Sequence, residues 1–261
     1  MAVVSDLHVG STVALCPPRV ALEDGGEYRP NLAQRWVWDR WLEFWRIVAQ
    51  YKRDGWRIIC VVNGECIDGR HHETSQLASQ SPEIQAVAAL EALAVPLPLV
   101  SEWLVTRGTE AHSGKGAASD YSIARELGAR VDTATGTHAA YHWLFDVGGV
   151  VFDAAHHTSG GVRPAALELD RMTIDADQGR KVGGIMPDVI IRSHIHKEDE
   201  KWRNGRYSVV TPAWALKSAF AHRLTRSRSA SVGGLLVEVQ RGTFNPRLIT
   251  FQVPITAPSL L

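Results

Sequence analysis

Five short apolar runs, each stopping at a histidine or a carboxylate, constrain this chain more than any other feature. The last is the clearest: Val189-Ile190-Ile191 ends at Arg192-Ser193 and then presents His194 and His196. In an extended chain residues i and i+2 share a face, so both imidazoles can reach one site, and imidazole is the commonest metal-ligating side chain. One H-x-H is weak alone. Its weight comes from the complementary runs upstream. Val3-Val4-Ser5-Asp6-Leu7-His8 supplies D-x-H, and Ile58 to Glu65 supplies a carboxylate behind Gly64. Leu104 to His112 supplies Glu110 and His112, and Val150 to His157 supplies the pair His156-His157.

The rest of the chain suits an α/β protein that holds such runs in sheets. Its 261 residues are long enough for a large core in one domain. With 45% hydrophobic and 21% charged residues it reads as globular. Lys+Arg and Asp+Glu are both 28, so any nucleic-acid binding would be local rather than driven by a global basic field. No apolar run approaches the ~20 residues of a membrane span, and the N-terminus lacks a signal-like pattern, so the expectation is a cytoplasmic protein without membrane attachment. Cys16, Cys60 and Cys66 lack C-x-x-C spacing and are expected to be reduced, with Cys60 and Cys66 in or near the core.

Ala2–Ser5 is expected as a first strand, followed by an irregular loop from Gly10 to Pro30. Asn31 is placed to cap a helix through about Lys52, with Trp38, Trp41, Leu42, Trp45, Val48 and Ala49 recurring at three and four. A strand at Ile58–Val62 precedes a helix opened by Ser81-Pro82-Glu83. Leu104–Thr106 is a third strand, and Ser119 is expected to cap a helix that stops at Gly128. Tyr141–Val147 and Val150–Ala155 read as a hairpin around Gly148-Gly149, and Pro164 to Gly179 as a helix. Val189–Arg192 is a strand, Asn204-Gly205 a hairpin turn, and Tyr207–Thr211 a strand returning antiparallel. Leu235–Val239 and Leu248–Val253 are expected to close the fold around Asn245-Pro246. This order suggests two packed sheets flanked by helices.

In sequence the motifs read D-x-H (Asp6, His8), G-E-x-x-D (Gly64, Glu65, Asp68), G-T-E-A-H (Gly108 to His112), His156-His157 and S-H-x-H (Ser193, His194, His196). This order closely resembles the calcineurin-like metallophosphoesterase superfamily, whose pattern is D-x-H, G-D-x-x-D, G-N-H-D/E, H and G-H-x-H. The resemblance implies a four-layer α/β/β/α sandwich of two mixed sheets flanked by helices, one domain over residues 1–261, hydrolysing phosphate esters. It implies two metal ions at the C-terminal ends of the strands. Asp6, His8 and His196 would hold the first, Glu65 would bridge, and His156 and His194 would hold the second. Mixed histidine and carboxylate donors suit Mn, Zn, Fe or Ni rather than Mg or Ca. Coordination takes the pKa of water from about 15.7 to about 7, so metal-bound hydroxide would attack phosphorus in line.

Three departures from that pattern matter. Glu65 stands where the family has Asp, and Ser193 precedes His194 where it has Gly, a change the site is expected to tolerate. Thr109 and Glu110 stand where the family has an Asn ligand of the second metal and a His on the leaving group. Threonine is a poor ligand, so His112 is expected as the general acid or as a group behind the ligands, with Glu110 as the alternative ligand. Asp68 is expected to orient a ligand histidine, and His156 is preferred to His157 because it stands at the strand's end. His71 and His72 either face the substrate or lie in a solvated loop; His138, His142 and His222 read as structural or surface residues, and the nine Trp as packing residues.

The expected function is therefore a cytoplasmic, dinuclear, metal-dependent phosphoesterase. A phosphodiester, such as nucleic acid or a nucleotide, is preferred to a phosphomonoester because Arg223 to Arg228 is locally basic and the G-N-H-D block is altered. The G-T-E-A-H block with Asp68–His72 is similar to metallophosphoesterases encoded by phages and prophages. The alternative from another class is a metal-binding or assembly protein that keeps the fold without turnover. A single-metal hydrolase is the third.

Overall fold

A computed structural model describes residues 1–71, 73–157, 165–181, 184–218 and 231–253. Its strands form two large sheets. The six-stranded sheet runs in the order β13-β12-β1-β4-β5-β6, with β1 (Ala2–Val4), β4 (Ile59–Asn63), β5 (Glu102–Thr106), β6 (Ala139–Ala140), β12 (Ser231–Gln240) and β13 (Thr243–Gln252). The five-stranded sheet runs β10-β11-β9-β8-β7, with β7 (His142–Val147), β8 (Val150–Ala155), β9 (Val189–Arg192), β10 (Asp199–Arg203) and β11 (Arg206–Val210). A small ribbon of β2 (Val20–Ala21) and β3 (Glu27–Tyr28) lies within the long loop after β1.

Alternation along the strands explains the layers. Val3, Ile59, Val61 and Leu104 face the second sheet and pack with Phe145, Phe152, Val189, Ile191 and Val209. Their neighbours Ala2, Val4, Cys60, Val62 and Val105 face the opposite way, against helices. Because both faces of the sheet are covered, these strands read as continuous apolar runs rather than as an alternating pattern. The outer helices are α1 (Leu32–Arg53), α2 (Pro82–Leu93) and α4 (Ala118–Glu126). On the far side α5 (Ala165–Lys181) packs Leu169 and Met172 against Ile190 and Val210 of the second sheet. The order is thus helix, sheet, sheet, helix, the sandwich expected. No helix among the described residues is long and apolar enough to cross a membrane.

Helix α1 begins as its sequence dictates. Asn31 accepts from the Gln34 amide at 3.0 Å while the Gln34 side chain accepts from the Asn31 amide at 3.0 Å, a reciprocal cap that satisfies two orphan donors. Its buried stripe is Val37, Trp41, Phe44, Trp45 and Val48, rotated slightly from the expected one, so that Trp38 and Leu42 lie at its margin. Trp41 donates to the Ala92 carbonyl of α2 at 3.1 Å, joining the two helices.

Four local expectations are corrected. Ser119 does not cap α4. The cap lies two residues earlier, at Ala117 in the left-handed region (φ 53°), while Arg107 donates to the Gly116 carbonyl and holds the preceding turn. Asn245-Pro246 is not the closing turn. Arg241-Gly242 is, with φ 51° and 77°, the positive pair of a two-residue type I′ hairpin. Pro246 instead sits opposite Val237 on β13, an edge strand, where its missing N–H costs no ladder bond. Tyr207 and its neighbours return antiparallel to β10, a strand the apolar pattern did not reveal, and run parallel to β9. The loop between Gly10 and Pro30 contains the β2–β3 ribbon. His72, His222 and the Arg223–Arg228 run lie outside the described residues, as does Pro164.

Candidate metal centre

Parallel pairing sets the site. Strands β1, β4 and β5 are parallel neighbours, and in the second sheet β8, β9 and β11 are parallel, so their C-terminal ends gather at one edge of the sandwich. Chain leaving those ends carries Asp6 and His8, Glu65, Thr109, His156, and His194 and His196. Five of the six expected ligands, Asp6, His8, Glu65, His194 and His196, have positive φ, between 43° and 76°. Such backbone costs of order 1–3 kcal/mol per residue in non-glycine positions and clusters at functional sites. Two glycines permit the close approach. A Cβ on Gly64 would lie 2.6 Å from His156 Nδ1, and one on Gly108 would lie 2.6 Å from Glu65 Cγ.

The six expected donors form two groups that share one carboxylate, and His8, Asp68 and His112 form a third group of possible ligands. Asp6, His8, Glu65 and His196 offer atoms all within 4.8 Å of one another, as do Glu65, His156 and His194. In the first group His196 Nε2 is 3.3 Å from Asp6 Oδ1, and His8 Nε2 is 3.1 Å from Glu65 Oε2 and 3.0 Å from His196 Nε2. In the second, His156 Nε2 is 3.3 Å and His194 Nδ1 3.8 Å from Glu65 Oε1. Asp6, Glu65, His8 and His156 are almost fully buried.

Tautomers follow from the partners. His8 Nδ1 donates to Asp68 Oδ1 at 2.9 Å, and His156 Nδ1 donates to the Asn63 carbonyl at 2.7 Å. Both rings therefore turn Nε2 toward carboxylate oxygens, and neutral imidazoles would set lone pair against lone pair unless a proton or a cation lies between them. Asp6 Oδ1, His156 Nε2 and His194 Nδ1 are buried without a hydrogen-bond partner among the described residues. The donor set thus fits divalent cations of the borderline class.

The electrostatics point the same way. Burial pulls His156 down, but Glu65 and Asp6 overcome it and raise its pKa to about 9. Burial likewise opposes charge on His8, and Asp68 and Glu65 outweigh it, leaving His8 well above the ordinary histidine value. Burial would raise Glu65, yet the neighbouring His156, His194 and His8 hold it well below the usual carboxylate range. The pocket favours positive charge.

The remaining expected residues are placed as follows. Asp68 orients His8 and also lies 3.3 Å from His71 Nε2. His112, on the short helix α3 (Glu110–Ser113), donates Nδ1–H to the Asp68 carbonyl at 2.7 Å and sets its ring edge-on to His8. Burial, then the charge on His8, lowers its pKa to about 4. Thr109 donates its hydroxyl to Glu65 Oε1 and so braces the carboxylate. Glu110 is exposed and accepts from the Gly116 amide at 2.9 Å, outside both donor groups. His157 is exposed beside His156 and His194. His138 donates to the Ala129 carbonyl, and His142 pairs with Asp153, both away from the cluster.

Residues without a motif also serve the site. Asp120 is fully buried and accepts from the Cys66 and Gly108 amides and the Ser113 hydroxyl, fixing the loops that carry Glu65 and Thr109. Asn63 links β4 to β5 and to the segments after β8 and β9. Nothing in the sequence marked Asp120, which directly follows the expected α4 cap, Ser119.

No family model and no curated protein matches this sequence. Among solved structures the chain is similar to a zinc complex of Vps29 from Entamoeba histolytica, at 13% identity over 97% of each chain with a TM-score of 0.45. It is similar to Chaetomium thermophilum Vps29 at 10% identity, over 96% of this chain and 94% of that one, with a TM-score of 0.48. An archaeal phosphodiesterase is 9% identical over 95% of this chain and 98% of its own, with a TM-score of 0.43.

Proposed function

We propose that this chain is a single-domain, dinuclear, metal-dependent phosphoesterase. The observation that carries the reading is one buried carboxylate shared by two donor groups, Asp6/His8/His196 and His156/His194, with three unpartnered donor atoms among them. On this reading Asp6, His8 and His196 hold one ion, His156 and His194 the other, and Glu65 bridges. A bound pair of divalent cations would supply Lewis acidity to phosphoryl oxygens and lower the pKa of water to about 7.

The protein's own groups then have definite tasks. Asp68 keeps His8 in the tautomer that presents Nε2. Thr109, spending its hydroxyl on Glu65, holds the bridge in place rather than acting as a ligand. His112 keeps Nδ1–H on the Asp68 carbonyl, which leaves Nε2 as its working nitrogen. Neutral in the metal-free site, His112 takes a proton as the negative charge of a phosphate ester arrives, and returns it to the leaving oxygen as general acid. A phosphodiester, nucleic acid or nucleotide, remains the preferred substrate class, on the basic Arg223–Arg228 run of the sequence.

A second reading has a specific observation in its favour. Where the family pattern has an Asn ligand, Thr109 is engaged with Glu65 and Glu110 with Gly116, so the second group has only three donors among the described residues. That suits a metal-binding assembly protein without turnover. Hydrolysis of bis-p-nitrophenyl phosphate with Mn2+ separates the two. Metal-dependent turnover lost in Asp6→Ala and His194→Ala supports the enzyme, and tight metal binding without turnover supports the rival. Metal analysis giving one ion per chain would replace both with a single-metal site.

A further inference from the structure

We infer that a buried run of side-chain hydrogen bonds, Thr106–Asn63–Ser193–Thr211–Ser5, positions the two halves of the donor cluster at their working separation. The inference rests on the dinuclear reading above and assigns roles to five residues outside the donor set.

All five residues have no solvent exposure. Thr106 Oγ1 donates to Asn63 Oδ1 at 2.8 Å, and Asn63 Nδ2 donates to Ser193 Oγ at 2.6 Å and to the Ala155 carbonyl at 3.1 Å. Ser193 Oγ and Thr211 Oγ1 are 2.7 Å apart, Thr211 Oγ1 and Ser5 Oγ 2.8 Å, and Ser5 reaches the Pro212 carbonyl at 3.2 Å. The Asn63 amide sets the direction of the run as far as Thr211. Since Asn63 can only donate through Nδ2, Ser193 sends its proton to Thr211. Thr211 then donates to Ser5, which ends on the Pro212 carbonyl, or to the Arg192 carbonyl at 3.2 Å, in which case Ser5 donates to Thr211. Every proton is used, and polarisation along such a run strengthens each link.

Its placement is what points beyond stability. Ser5 directly precedes Asp6, Ser193 directly precedes His194, and Asn63 lies two residues before Glu65 while its carbonyl holds His156. Thr106, Asn63 and Ser5 belong to the first sheet's edge, Ser193 and Thr211 to the second's. The run therefore crosses between the sheets directly beneath the donors. The donor distances that span the sheets, such as Asp6 to His196 and Glu65 to His156, depend on it. Ser193, expected to be a tolerated replacement, is its central link.

The test uses the full chain loaded with Mn2+, read by calorimetric titration and by the spin-coupled electron paramagnetic resonance signal of adjacent Mn2+ ions. Thr211→Val and Ser193→Ala interrupt the run, whereas Thr211→Ser keeps its hydroxyl. Wild type and Thr211→Ser are expected to take up two ions with equal affinity and to show the coupled signal. Thr211→Val and Ser193→Ala, folded by circular dichroism, are expected to bind the second ion at least about ten-fold more weakly and to lose that signal. Unchanged affinity and coupling in both interrupted variants, even with lower melting temperatures, would overturn the inference. Fewer than two ions in wild type would instead overturn the dinuclear reading beneath it.

Discussion

On the dinuclear reading, uptake of the ion held by His156 and His194 would expel a proton from His156, and the size of that effect follows from the pocket. Its ring is fully buried, with Nε2 3.3 Å from the Glu65 carboxylate, and its pKa is raised from 6.5 to about 9. A ligand nitrogen must be deprotonated before it coordinates. Below that pKa the apparent affinity should therefore rise about ten-fold per pH unit, close to 1.4 kcal/mol each. From pH 6.5 to 8.5 the gain approaches about 100-fold. The metal-free fold should respond in the opposite sense. A folded pKa above the unfolded value means the protonated histidine stabilises fully below about pH 6.5, and the contribution is lost as pH rises through about 9. That interval is worth about 3 kcal/mol. Anaerobic Mn2+ titrations at several pH values, in buffers of different ionisation enthalpy, measure both affinity and proton release; melting of chelated protein from pH 6 to 9.5 measures the second effect. Affinity that stays flat with pH, with heats independent of the buffer, would refute the reasoning.

Three further outcomes are expected. Asp68→Asn should weaken metal binding about 10–100-fold in titration calorimetry while leaving far-ultraviolet dichroism unchanged, because His8 loses the carboxylate that orients it. Gly64→Ala places a methyl 2.6 Å from His156 Nδ1 at a φ of 81° and should abolish binding of the second ion, measured as metal content after gel filtration. Trp41→Ala removes a fully buried ring packed edge-on against Trp45 and Trp214 and should cost about 3–5 kcal/mol in urea unfolding.

Much of the fold was legible because its signals are local. Asn31 announces the start of α1, Ser81-Pro82 the start of α2, and Asn204-Gly205 the β10–β11 hairpin. Where a local signal was misleading, a distant contact had intervened. Asp120 and Arg107 shift the start of α4 by bonding the Gly108 and Gly116 loops. The Arg241-Gly242 turn escaped notice because arginine is an unusual occupant of a left-handed position, while Asn245-Pro246 looked like a turn and is part of an edge strand.

The donor residue types and their chain order belong to the sequence alone, since apolar runs ending in histidines and carboxylates must place them at strand ends. Which of those residues meet is a matter of tertiary structure. Backbone register and tautomer, not spacing, turn His156 toward Glu65 and leave His157 exposed beside it. The same holds for Thr109, Ser193 and Asp120, which bond to Glu65, Asn63 and Cys66, all distant in the chain, whereas Glu110 reaches only to Gly116. Short-range chemistry along a chain selects strands, helices and turns, whereas the direction in which a buried polar atom points is decided only when the sheets close over it.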